Sequence, residues 1–150
     1  MKASIHFVTA IPLSAIGYYM TDNNAAYSAL IFCGQFLIDI DHFFDYFYMH
    51  GFKKIDWRLR HFFKSCDETN FKKIMLFFHS YEIAIILLTL FIIYKPYYLG
   101  AFLIGFIPHL LMDTIGNPMK SRFTYFLIYR ITKKFEFTEL FEFSKNHTVI

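Results

Sequence analysis

The chain has 150 residues, 56% of them hydrophobic and 22% aromatic, with a formal net charge of +3. The length suits one domain, and an apolar share above the roughly 45–50% of soluble domains points to lipid rather than to a larger core. So small a net charge argues against nucleic acid as a partner, and two cysteines without CxxC spacing argue against a thiolate metal site or a disulfide framework.

The predicted elements begin with an apolar run from Ala3 to Tyr19 behind Lys2. Tyr18, Tyr19 and Met20 are bulky where a signal-peptidase site needs small residues, so the run is read as a retained helix. Four apolar stretches, at about 3–20, 25–48, 73–94 and 97–116, approach the ~20 residues that a helix needs to cross a bilayer. Thr21-Asp22-Asn23-Asn24 separates the first two, Lys95-Pro96 the last two, and Gly116-Asn117-Pro118 stops the fourth. The polar segment from Gly51 to Lys72 predicts a loop with an interfacial helix, where Trp57, Leu59, Phe62 and Phe63 alternate with basic residues. After Lys120, aromatic and basic residues mix again, which predicts a second amphipathic surface element. The expected class is an all-α polytopic membrane bundle of about four transmembrane helices. Residues 1–118 form the membrane domain, with 51–72 as a cytoplasmic amphipathic loop, and 119–150 form a cytoplasmic interfacial tail. With four spans, fourteen of the fifteen Lys and Arg residues fall on one side and only Lys95 opposite. The positive-inside rule then puts both termini and the middle loop in the cytoplasm, at the inner membrane.

Ionisable residues inside membrane helices cost on the order of 2.5–3.5 kcal/mol each at the bilayer centre. This chain keeps His6 in the first stretch, Asp39, Asp41, His42 and Asp45 in the second, His79 and Glu82 in the third, and His109 and Asp113 in the fourth. Because successive helices alternate in direction, all of these fall in one layer at the cytoplasmic end. Asp39/His42 and His79/Glu82 are spaced i,i+3 and His109/Asp113 i,i+4, so each pair shares a helix face. Facing His/carboxylate pairs are how helix bundles build metal sites, and imidazole with carboxylate suits Zn, with Mn or Fe as alternatives. Two ions would clamp a phosphoryl oxygen and activate water. Asp41 lies on another face from Asp39, as a ligand or as an orienter of one. Asp45 is read as solvated or capping. Pro108 is expected to kink the fourth helix beside His109.

His6, Gly34-x4-Asp39-Ile40-Asp41-His42, His79-Ser80 and Gly105-x3-His109-x3-Asp113 together resemble the membrane-bound metal-dependent hydrolases, a family similar to the zinc-dependent phospholipase C and nuclease group. The resemblance covers about residues 1–118. It implies a metal-dependent hydrolase of phosphoester or lipid-like substrates, with His6, Asp39, His42, His79, His109 and Asp113 as ligands to one or two ions. The family carries an additional histidine before the one matched by His79. Here Phe77 and Phe78 precede His79, and Glu82 or His61 is the candidate replacement.

The leading expectation is therefore a hydrolase at the cytoplasmic face, with Asp41 or Glu82 as general base. A di-iron oxidase or hydroxylase is the second reading. A non-enzymatic metal- or proton-binding membrane subunit is the third, and at this size it requires an oligomer. HExxH, GxSxG and P-loop patterns are absent, which leaves zincin, nucleophilic-serine and nucleotide-hydrolysing mechanisms without support.

Overall fold

The first hairpin forms where the sequence places its breaks. In the computed structural model, which describes residues 3–50 and 72–142, α1 runs over Ala3–Met20 and α2 over Ala25–Phe36. Between them Asp22 and Asn23 take left-handed φ values of 51° and 65°, which short polar side chains tolerate. Asn24 then caps α2, its side-chain oxygen accepting from Tyr27 N at 3.0 Å. The interfacial helix expected around Trp57, and with it His61, lies outside the described residues.

The second apolar stretch is not one helix. A 3-10 turn at Leu37–Ile40 follows α2, and α3 restarts as Asp41–His50. Aspartate competes for backbone donors inside a helix yet is favoured in a first turn, so the Asp39-Ile40-Asp41 run both ends one helix and begins the next.

The third stretch also departs from expectation. Residues 72–80 are irregular, and α4 is confined to Tyr81–Tyr94 with Ser80 as its N-cap. The cause lies on α3. Asp45 Oδ1 accepts from Met75 N at 2.7 Å, and Asp41 Oδ2 accepts from Phe78 N at 2.6 Å. Backbone donors satisfied by carboxylates have no need of helical carbonyls. Between these two anchors Leu76 is buried with φ at 47°, a left-handed conformation that is costly for a bulky side chain.

The fourth stretch matches its expected bounds as α5, Tyr97–Gly116, with Pro96 as its N-cap. The helix continues through Pro108. That residue has no N–H, so one intrahelical bond is missing directly before His109. α5 packs most closely on α2, where two glycines interlock: a Cβ on Gly34 would lie 2.2 Å from Phe102 O, and one on Gly105 would lie 2.1 Å from Ile31 O. This backbone approach brings the end of α2 beside His109.

Residues 118–142 pack back onto the helices. They carry two short helices, α6 (Leu127–Thr132) and α7 (Phe137–Leu140). Phe137, Leu140 and Phe141 close a core with Tyr46 of α3 and with Ile74 and Leu76. Isolated bridges pair Lys73 with Glu136 and Met119 with Phe141, and no strand forms among the described residues. The fold is thus all-α. Among the described residues, α5 is the one helix long and apolar enough to cross a membrane, and α4 is a shorter apolar helix. α4 has no fully buried residue, and Ile85, Ile86, Ile92 and Ile93 are each more than half exposed.

Candidate metal centre

His6 on α1, Asp39 in the 3-10 turn, His42 on α3, His79 before α4, and His109 and Asp113 on α5 converge in one buried cluster. Three overlapping triads have donor atoms within 4.8 Å of one another: His6/Asp39/His109, Asp39/His42/His79 and His79/His109/Asp113. The residues matched by the resemblance come from four separate chain segments, and the fold brings all six together.

The centre of the cluster is the meeting of two imidazoles. His109 Nδ1 lies 2.8 Å from the carbonyl of Gln35. That carbonyl belongs to the last turn of α2, where carbonyls lack intrahelical donors. A carbonyl can only accept, so Nδ1 carries the proton and Nε2 keeps a lone pair. His79 Nδ1 lies 3.2 Å from Asp41 Oδ2, and the same oxygen accepts from His79 N at 3.3 Å. A carboxylate holding the Nδ1 proton leaves Nε2 of a neutral His79 as an acceptor as well. The two Nε2 atoms are 3.0 Å apart, so in neutral rings two lone pairs face each other, and a proton or a metal ion would satisfy both.

Carboxylates complete the arrangement. Asp39 Oδ1 lies 3.5 Å from His79 Nε2 and 3.7 Å from His109 Nε2, and Asp113 Oδ2 lies 3.5 and 3.7 Å from the same two atoms. Donors about 2.0–2.1 Å from one tetrahedral Zn are about 3.3 Å apart, and the five separations straddle that value. Two imidazole nitrogens and two carboxylate oxygens gathered this closely around the His79–His109 pair form donor groups that could hold a divalent metal.

Two further histidines flank this group. His6 Nε2 lies 3.0 Å from Asp113 Oδ1, and its ring stacks on His109 with centroids 3.9 Å apart. His42 Nε2 is 3.9 Å from Asp39 Oδ1. His6 Nδ1, His42 Nδ1 and Asp39 Oδ2 are buried atoms without a hydrogen-bond partner among the described residues. The cluster is closed except along one edge, where the side chains of His42 and Asp39 are 22% and 13% exposed, against 3% or less for His6, His79, His109 and Asp113.

The other two candidates sit outside the converging atoms. Asp41 is buried behind the His79 ring, in the place of an orienting partner. Glu82 points to the tail, where its two oxygens accept from Leu127 N at 2.8 Å and Ile128 N at 3.0 Å, capping α6. The i,i+3 pairing of His79 with Glu82 does not arise, because His79 precedes the helix.

Two contributing residues, Gln35 and Arg130, are not singled out by the sequence reading, and a third, Asp45, takes another role. Gln35 supplies the carbonyl that fixes His109, and it was detectable as the one amide side chain within the apolar 25–38 run. Asp45, expected to be solvated or capping, is buried and anchors Met75. Arg130 is fully buried, and its Nη2 donates to the His79 carbonyl at 3.1 Å. Burial pulls its guanidinium below the ordinary pKa, while Asp41, Tyr125, Glu82 and Asp45 act in the opposite direction. Nothing in its local sequence separates it from the other basic residues of the tail.

No family model, curated protein or solved structure matches the chain. Fold and cluster by themselves define an α-helical protein with a buried His/Asp centre able to hold a metal ion.

Proposed function

We propose that this chain is a membrane-embedded metal-dependent hydrolase acting on a phosphoester or lipid-like substrate at the cytoplasmic face, in keeping with the resemblance of its motifs. The observation that carries the reading is the convergence of the His79 and His109 lone pairs with Asp39 and Asp113.

The membrane part of the proposal rests on the apolar exteriors of α1 and α4, on the span length of α5, and on the one-sided distribution of Lys and Arg. α4 has 14 residues, about 21 Å of helix, which is short for a hydrocarbon core of about 30 Å. Residues 72–80 extend it. Irregular backbone is tolerated at membrane depth where it is buried in protein, and Asp41 and Asp45 provide its hydrogen bonds.

A divalent ion, with Zn as the first choice, supplies Lewis acidity and a lowered water pKa. The chain's own groups divide the remaining work. Asp41 and the Gln35 carbonyl hold the two imidazole rings in one tautomer. The His42–Asp39 edge admits the polar part of the substrate, and exposed Leu37 and Ile40 on the same turn offer apolar surface beside it. Asp39 Oδ2, without a hydrogen-bond partner among the described residues, is assigned in this proposal the proton-accepting role, in place of the expected Asp41 or Glu82.

The near-closure of the cluster also favours a second reading, a metal-binding membrane subunit without hydrolytic activity. One experiment separates the two. Full-length protein purified in detergent without chelator is assayed for bound metal by elemental mass spectrometry and for hydrolysis of soluble phosphomonoesters, phosphodiesters and phospholipids. Bound metal with metal-dependent turnover supports the hydrolase. Bound metal without turnover on any substrate selects the subunit, and no metal uptake after Zn, Mn or Fe is added sinks both.

A further inference from the structure

Arg130 is the one buried Lys or Arg among the described residues. It comes from α6, in a part of the chain that the candidate ligands do not touch in sequence. Its Nη2 reaches the His79 carbonyl, yet its Nε and Nη1 have no hydrogen-bond partner among the described residues. Asp41 Oδ1 and Asp45 Oδ2, also buried, have none among them either. A buried guanidinium needs opposing charge, and these two carboxylates, one helical turn apart on α3, supply it at longer range than a hydrogen bond.

The tail grips the approach to α4 at three places. Arg130 holds the carbonyl of His79, the Tyr125 carbonyl accepts from Tyr81 N at 3.0 Å, and Glu82 caps α6. His79 is therefore fixed from both sides. Asp41 holds its N–H and its ring Nδ1, and Arg130 holds its C=O. The direction of Nε2 toward His109 follows from both.

We propose that Arg130 is a positioning residue of the metal centre, acting through Asp41 and His79, and that the tail is thereby part of the site. This rests on the reading of the cluster as a metal site. Partners that orient a ligand in this way are worth about 10–100-fold in metal affinity.

The test uses full-length protein in detergent. Wild type, Arg130→Met, Arg130→Lys and, as a control, Arg122→Met at an exposed position are titrated with Zn against a chromophoric chelator and with Co for its visible absorption. The expected result is about a 10–100-fold weaker Zn affinity for Arg130→Met at unchanged stoichiometry. Arg130→Lys should recover part of that affinity with a shifted Co spectrum, and Arg122→Met should match wild type. Wild-type affinity in Arg130→Met overturns the proposal and leaves the metal site standing. Should Arg130→Met fail to fold, Arg130→Lys decides: wild-type affinity and spectrum in that variant reduce Arg130 to a structural counter-ion. A wild-type protein that binds neither ion overturns the metal site and this proposal with it.

Discussion

His79 Nε2 and His109 Nε2 meet at 3.0 Å, and each ring already commits its other nitrogen to an acceptor, Asp41 for His79 and the Gln35 carbonyl for His109. Two imidazoles so constrained cannot both donate to each other. A proton or a metal ion between them satisfies both lone pairs, and metal-binding measurements tell the two apart.

Chelation should destabilise the folded protein. A ligand that binds only the native state at 100 times its Kd adds about 2.7 kcal/mol. Extended EDTA treatment is expected to lower Tm in detergent, and Zn addition to restore it. Equal Tm values before and after treatment, with metal demonstrably removed, would count against a metal that bridges α1 to α5.

The Asp39→Ala/His109→Ala double variant should lose bound metal altogether. Its loss should exceed the roughly 10–100-fold seen when only an orienting partner is removed. Elemental analysis of the purified variant beside wild type is the check, and equal metal content would remove these residues from the site.

Asp41→Asn keeps an oxygen that can accept from the His79 and Phe78 amides but removes the charge facing the His79 ring and Arg130. Metal affinity should fall by about 10–100-fold while the protein remains folded. Competition with a chelator reads the affinity, and circular dichroism the fold.

Glu82→Ala separates capping from catalysis. Its carboxylate serves the N-terminus of α6, and loss of a cap costs about 0.5–2 kcal/mol. The expected result is a lower Tm with metal stoichiometry unchanged. Loss of metal at unchanged stability would return Glu82 to the ligand set.

Gly105→Ala tests the closest helix contact. The new Cβ would face the Ile31 carbonyl at 2.1 Å and Gln35 N at 2.7 Å, backbone atoms that no rotamer change can move. Overpacking of this kind costs about 1–3 kcal/mol. Thermal unfolding should show that loss, and metal affinity should drop as well, because Gln35 and His109 face each other across the same contact.

Much of this arrangement was legible before any coordinates. The start of α2 and the bounds of α5 follow from Asn24, Pro96 and Gly116, whose cap and turn chemistry is local. The six clustering residues were legible because charge in an apolar run is expensive and because they fall at corresponding ends of successive apolar stretches. What escaped was long-range. The irregular 72–80 segment depends on Asp41 and Asp45 capturing amides 30 to 38 positions away, which no periodicity encodes. Arg130 escaped for the same reason, since its partner is a carbonyl 51 positions earlier. The tail, expected on the surface, instead contributes Phe137, Leu140 and Phe141 to a core.

The support that Arg130 gives to His79 also orders events during synthesis. The ribosome makes every candidate ligand, from His6 to Asp113, before it reaches residue 130. A nascent chain holding all six ligands still lacks the group that fixes the His79 carbonyl, so the centre takes its final form late in synthesis, once α6 has emerged. A chain halted shortly after Asp113 would carry all six clustering residues around a histidine whose carbonyl is not yet held.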